Sequence, residues 1–217
     1  MATKRTYGDG CGIAHALDLV GERWALLVVR ELVLGPKRFS DLAAALPKVT
    51  PSVLAQRLRE LEEIGVVRRD TLPPPAASQV YELTPWGGRL EAVLIALGEW
   101  GASSPTLPDD LPVGPDSAML AMKTLFSPPD TAVELEVELV LSDLPYAVRV
   151  VDGQLQVTRG RPASPAASLR TTSDGLESLM WRRETLDEAL ASGTATLEGD
   201  RSAVEELLGQ IEVPAPV

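Results

Sequence analysis

Apolar residues recur at helical spacing through most of the first hundred positions and at alternate positions in much of the second half. Cys11–Val20 (CGIAHALDLV) predicts a short apolar helix that Gly21 ends. Arg23–Leu34 predicts a second, with Trp24, Leu27, Val28 and Leu32 spaced to share one face, and Gly35–Pro36 stops it. Ser40 stands where a cap is expected for a third helix, Asp41–Leu46, which Pro47 closes. Thr50 then reads as an N-cap with Pro51 at the first helical position, the site in a helix that proline prefers. At 100° per residue, Leu54, Leu58 and Leu61 of this fourth helix fall on one side. Ser52, Gln56, Arg59 and Glu63 fall on the other, with Arg57 on the flank. Gly65 ends it. Val66–Leu72 and Gln79–Leu83 predict two strands joined by a proline-rich tip at Pro73–Ser78. A last helix is expected from Thr84–Pro85, with Leu90, Val93, Leu94, Leu97 and Trp100 at helical spacing.

Helix, helix, helix, capped helix, hairpin, helix is the order of a winged helix-turn-helix, with Pro47–Val49 as the turn. Ser103–Ser117 holds four prolines and almost no periodicity, so it reads as a boundary. The expected division is a mainly α domain over 1–102, a proline-rich linker over 103–116 and an α+β domain over 117–217. In the last of these, Ala118–Phe126 predicts a helix. Thr131–Leu141 predicts a strand whose Glu134, Glu136 and Glu138 mark a wet face. Tyr146–Val151 and Gln154–Arg159 flank Asp152–Gly153, a strong hairpin signal. Ala167–Thr172 and Thr194–Glu198 predict strands; Thr172–Met180, Thr185–Ala191 and Arg201–Gln210 predict helices.

Charge sharpens this division. The 217 residues carry a net charge of −11, which by itself argues against a nucleic-acid partner. Residues 1–101, however, hold 12 basic and 12 acidic side chains, and residues 102–217 hold 8 and 19. Lys37–Arg69 has seven basic and four acidic residues, a local excess of positive charge on the helix-turn-helix. The N-terminal stretch lacks an apolar core of the secretory kind and no apolar run approaches a membrane span, so the expected compartment is the cytoplasm. The single cysteine excludes an internal disulfide.

The segments CGIAHALDLVGERWALLVVREL, GPKRFSDL, TPSVLAQRLRELEEIGVV and YELTPWG resemble the HxlR family of bacterial winged-helix regulators over about residues 9–101. That resemblance implies DNA binding as a homodimer, with the first and last helices of the domain forming the dimer interface. The wing here has PPPAAS before its second strand, where the family usually carries a basic residue, so Arg68 and Arg69 are its cations. LPYAVRVVDGQLQVTRGRP, LRTTSDGLESLM and ETLDEALASGTATLEGD resemble the sterol-carrier-protein-like fold over roughly 117–217. This second resemblance implies an apolar pocket between sheet and helices that holds a lipid-like ligand.

The candidate DNA-reading residues are Ser52, Gln56, Arg57 and Arg59, since Gln pairs with adenine and Arg with guanine through two hydrogen bonds each. Lys37, Arg38, Ser40, Lys48, Thr50, Arg68 and Arg69 are candidate backbone contacts, which position a protein without reading sequence. The candidate pocket comprises Met119, Met122, Phe126, Leu176, Leu179, Met180 and Trp181. Three of the chain's four methionines lie in these two segments, and methionine suits both a variable cavity and a plain core. Cys11 reads either as a small buried side chain or as a thiol sensor at a helix start. One His, one Cys and no phosphate-cradling loop, HExxH or CxxC leave no enzyme, metal or cofactor reading. The expected function is a homodimeric regulator of an inverted-repeat, double-stranded operator whose second domain senses an apolar small molecule. The alternative is a small-molecule carrier whose winged helix serves only to dimerise. Steep inverse salt dependence of DNA affinity separates the two.

Overall fold

A computed structural model describes residues 6–73, 77–108, 111–128 and 133–214. The chain divides into two compact units, Met1–Leu94 and Ile95–Val217.

In the first unit, α1 (Gly12–Val20), α2 (Ala25–Leu32), α3 (Phe39–Ala45) and α4 (Pro51–Glu63) precede the hairpin β1 (Val67–Thr71) and β2 (Gln79–Leu83). The stripe Leu54, Leu58 and Leu61 is fully buried, as its spacing predicts, along with Val28, Val29, Leu32 and Leu42. Gly65, at φ +75, ends α4. Val66 N–H donates to the Leu61 carbonyl (2.9 Å) and Gly65 N–H to that of Glu62 (3.0 Å), the paired bonds of a Schellman motif. The middle of the wing tip, residues 74–76, lies outside the described residues.

The first unit departs from expectation at three points. Helix α2 is shorter than Arg23–Leu34, because Trp24 adopts φ 79 in the left-handed region and stands as its N-cap. Helix α3 begins at Phe39, so Ser40 lies inside its first turn; the Asp41 carboxylate accepts from the Arg38 N–H (3.1 Å) and does the capping. The single helix expected after Thr84 is broken into α5 (Pro85–Gly88) and α6 (Leu90–Ala102). A tertiary contact holds the chain at this point. Thr84 is tied to the end of α4, its N–H donating to Val66 O (3.0 Å) and its hydroxyl to Gly65 O (2.7 Å). Gly87 is thereby pressed so close that a Cβ there would lie 2.0 Å from Val66 O.

In the second unit, α7 (Pro115–Leu125) starts three residues before the expected position, with Gly114 as N-cap and Pro115 at the first turn. A five-stranded sheet comes next, in the order β5-β4-β3-β6-β7. Its strands are β3 (Leu135–Leu141), β4 (Leu144–Val151), β5 (Gln154–Arg159), β6 (Ala167–Thr171) and β7 (Thr196–Gly199). Helices α8 (Ser173–Met180), α9 (Leu186–Ser192) and α10 (Arg201–Gly209) complete an α+β domain. Strand β3 is central, antiparallel to β4 and parallel to β6. Thr131 and Ala132, expected at its start, lie outside the described residues. Asp152 (φ 51) and Gly153 (φ 70) form the expected two-residue turn, and Ser142 (φ 49) with Asp143 (φ 72) form a second one between β3 and β4.

The expected wet face of β3 is a further correction. Glu138 is buried, its carboxylate held by Arg161 Nη1 (2.9 Å) and the Ser168 hydroxyl (2.7 Å). A buried carboxylate persists only when paired in this way. Across the sheet, Asp116 of α7 accepts from the buried Tyr146 hydroxyl (2.6 Å) and pairs with Arg159, which seats α7 on β4 and β5.

Adjacent glycines in α5 give a matched test. Gly87→Ala is expected to destabilise the first unit by about 1–3 kcal/mol through overpacking against backbone. Gly88 faces open space, so Gly88→Ala is expected to leave stability unchanged or raise it slightly. Thermal unfolding of the two variants checks the contrast.

Candidate nucleic-acid interface

Helix α4 is oriented by its buried leucine stripe, which leaves Ser52, Gln56, Arg59 and Glu63 exposed together on the outer face. Thr50 caps it as the sequence predicts, its Oγ1 accepting from Val53 N–H at 3.4 Å, and Pro51 comes directly after. Lys48, in the turn before α4, and Arg59 are exposed and have no hydrogen-bond or ionic partner among the described residues. Both side chains are therefore available to phosphate or base.

The other candidate cations are engaged. Arg57 is largely buried, with Nη1 2.6 Å from Glu60 Oε2 and 3.5 Å from Glu22 Oε2, and its buried Nε has no partner among the described residues. Gln56 Nε2 donates to Glu60 Oε1 at 2.9 Å. Lys37 sits against Glu31, a buried carboxylate that Arg30 also holds at 2.9 Å. The Lys37 backbone exchanges two hydrogen bonds with Tyr81 (3.0 and 2.8 Å), so Lys37 extends the wing hairpin by one bridge. Arg38 Nε donates to the Ser78 hydroxyl (2.8 Å) at the far side of the wing. Arg68 pairs with Glu82 across the hairpin (2.7 Å); Arg69 pairs with Glu62 (3.2 Å) and lies over the Tyr81 ring at 5.4 Å. These wing pairs are exposed and weak enough to exchange for phosphate. Ser40 is exposed in the first turn of α3.

Two helices, α1 in the first unit and α6, which runs from the first unit into the second, carry exposed apolar side chains. On α1, Ile13 (73% exposed) and Leu17 face outward; on α6, Val93, Leu97 and Trp100 (74% exposed) do so, while Leu94 is buried. Solvated apolar stripes on two helices are unusual for a monomer. Cys11 is exposed at the N-cap of α1, which removes the buried reading of this residue. The N–H groups of Ile13 and, next, Ala14 hold its thiol below the ordinary value.

In the second unit, Met119, Met122, Leu176, Leu179 and Met180 are core side chains, and Phe126 and Trp181 are half-buried. Trp181 lines an open depression of about 420 Å³ with Arg182, Ile211, Glu212 and Val213. Arg183 lies over the Trp181 ring at 5.7 Å. Arg182 adopts φ 53, the left-handed conformation of a residue just past a helix end, usually a glycine position.

Sequence reasoning missed the acidic partners. Glu60 was legible in part, since Gln56 and Arg57 stand four and three residues before it on one helix. Glu22 reaches Arg57 only through tertiary packing, while Glu31 stands next to Arg30 and six residues before Lys37, a spacing that no helical pattern marks.

Residues 19–106 match the family model described as HxlR-like helix-turn-helix, and residues 127–217 match that of the alkyl sulfatase C-terminal domain. The HTH-type transcriptional regulator YvaP of Bacillus subtilis is 41% identical over 85 residues, covering 39% of this chain and 79% of that protein. The quinone-bound structure of YodB from B. subtilis aligns at 34% identity and a TM-score of 0.36, covering 41% of this chain and 92% of that one. The sec-alkylsulfatase Pisa1 of Pseudomonas aligns at 22% identity and a TM-score of 0.44, over 48% of this chain and 17% of that one. By the family-model match over residues 19–106 and the identity to YvaP over most of that protein's length, the chain belongs to the HxlR-like helix-turn-helix family of transcriptional regulators.

Proposed function

We propose that the chain is a homodimeric, DNA-binding transcriptional regulator that reads an inverted-repeat operator through α4 and senses an apolar small molecule through its α+β domain. The observation that carries the DNA reading is the exposed row Ser52, Gln56 and Arg59 on a helix whose opposite side is fully buried. A rigid helix with a clean polar face is what the major groove admits. Lys48 and Arg38 meet phosphates on either side, and Arg68 and Arg69 supply the wing once they exchange their surface carboxylates. The apolar rows of α1 and α6 are the dimer surface, so that two copies of α4 meet successive grooves about 34 Å apart.

Full-length protein is expected to bind duplex DNA with a steep inverse dependence on salt. Lys48→Ala and Arg68→Ala should weaken all sequences alike and each lower the log–log salt slope by about one. Replacing Leu97 and Trp100 by Asp should give a monomer in sedimentation that has lost operator binding. Salt-insensitive binding, or a wild-type monomer at micromolar concentration, rejects the reading.

Cys11 is the candidate thiol switch, because it is exposed, lies on the helix assigned to the dimer surface and has its thiolate favoured by two backbone N–H groups. A thiol with a lowered pKa is more ionised at neutral pH. Alkylation of Cys11 should therefore reach half its maximal rate at a lower pH than a free cysteine peptide, whose pKa is about 8.5. Modified protein should bind operator more weakly; unchanged affinity would leave the residue without a sensing role.

For the second domain, the match of residues 127–217 to the alkyl sulfatase C-terminal family supports an alkyl-chain amphiphile as the ligand class. The chain enters beside Trp181, Ile211 and Val213, and the core methionines Met119, Met122 and Met180 can repack around it. Decyl sulfate, decanoate and decanol, each below its micellar concentration, are the probes. At least one is expected to raise the melting temperature and change operator affinity, with the effect reduced in Trp181→Ala. No shift with any of the three would leave this domain as a contact module.

A further inference from the structure

Beside the groove face of α4, the largely buried Arg57 pairs with the half-buried Glu60. Glu60 uses both carboxylate oxygens: Oε1 accepts from Gln56 Nε2 at 2.9 Å and Oε2 pairs with Arg57 Nη1 at 2.6 Å. Arg57 is in turn anchored to the body of the unit, largely buried and 3.5 Å from Glu22 in the connection between α1 and α2. That connection is itself constrained, with Trp24 at φ 79 and the Arg23 guanidinium over its ring at 5.0 Å. A chain of polar contacts therefore runs from this elbow through Arg57 and Glu60 to the amide of Gln56.

A glutamine amide reads adenine by accepting at its oxygen and donating from its nitrogen, and it has two N–H groups. Donation of one N–H to Glu60 fixes which end of the amide carries the nitrogen. It leaves the second N–H and the whole of Oε1 for a base. An unheld glutamine samples both orientations and must be ordered by the DNA at an entropic cost.

From this geometry we infer that Glu60 and Arg57 are positioning residues for Gln56, which set its amide for adenine, and that Arg57 does not itself read a base. The inference rests on the proposal that α4 enters the major groove. It gives the acidic Glu60, close to a polyanion, a reason for being on this helix. It also accounts for the burial of an arginine on the flank of the reading face: its charge orients Glu60, and its buried stem with the second contact to Glu22 limits the geometries that the pair can take.

The test begins with selection from a randomised duplex library by the full-length wild-type chain, which defines a preferred motif. Binding to duplexes with single-base changes in that motif is then measured by fluorescence anisotropy, with melting temperatures recorded alongside. Gln56→Ala should remove an adenine preference of about tenfold at one position of each half-site. Glu60→Ala and Arg57→Ala should lower the preference at that same position several-fold. In Glu60→Ala, affinity for an unrelated duplex should be kept or improved, as a negative charge is lost. Glu60→Gln keeps an acceptor oxygen and should restore most of the preference, which a merely structural role would not predict. Full adenine preference in Glu60→Ala, or loss of a guanine at a different position in Arg57→Ala, overturns the inference while leaving α4 in the groove. An unchanged motif in Gln56→Ala overturns the inference together with the placement of α4.

Discussion

Burial of one leucine stripe on α4 fixes which residues this helix can present. Leu54, Leu58 and Leu61 are 0–2% exposed, and removing any of them from the core would cost roughly 2–5 kcal/mol. A helix turns 100° per residue, so rotating α4 far enough to show another face would expose that stripe. The neighbouring devices serve the same orientation. Thr50 and Pro51 start the helix, Gly65 ends it, and the Thr84 hydroxyl ties the next turn back to Gly65. Removal of any one of these would loosen the face that α4 presents.

Electrostatics obeys the same division of labour. The helix-turn-helix segment carries its positive excess in an otherwise balanced half, and the acidic excess lies in the other half of the chain. Within the positive segment most cations are already matched with carboxylates: Arg57 with Glu60, Arg68 with Glu82, Arg69 with Glu62. Only Lys48 and Arg59 stand exposed and unengaged among the described cations between Lys37 and Arg69. Counting basic residues thus overstates the charge that a phosphate would meet before side chains rearrange.

Much of the fold was legible because its signals are local. The Thr50–Pro51 start, the Gly65 stop, the Asp152–Gly153 turn and the alternation in the sheet each act within a few residues. What escaped depends on distant partners. The break after Gly88 follows the contact of Gly87 with Val66, Glu138 is buried against Ser168 and Arg161, and no nearby residue marks Trp24 for the left-handed region. The same holds for the candidate interface. The outward row Ser52, Gln56 and Arg59 came from periodicity alone. The contacts of Arg57 with Glu22 and of Lys37 with Glu31 did not, because neither pair stands at helical spacing within one element. The methionines of α7 and α8 were marked by composition, which does not separate a lined cavity from a filled one; the structure puts Met119, Met122 and Met180 in the core.

The mixed sheet of the second domain also constrains the order in which that domain can fold. Strands β3, β4 and β5 form a meander closed by two two-residue turns, so their pairings join near neighbours along the chain. The parallel pairing of β6 with β3 is different in kind, since Val137 meets Ala167 only after the whole meander intervenes. Closing that longer loop costs more entropy and is rewarded only when β6 docks. Until it does, β3 offers an unpaired, strongly apolar edge, Val-Glu-Leu-Val-Leu, to any other strand nearby. The interval between meander formation and β6 docking is therefore the stage at which a nascent chain of this protein is most exposed to misassembly.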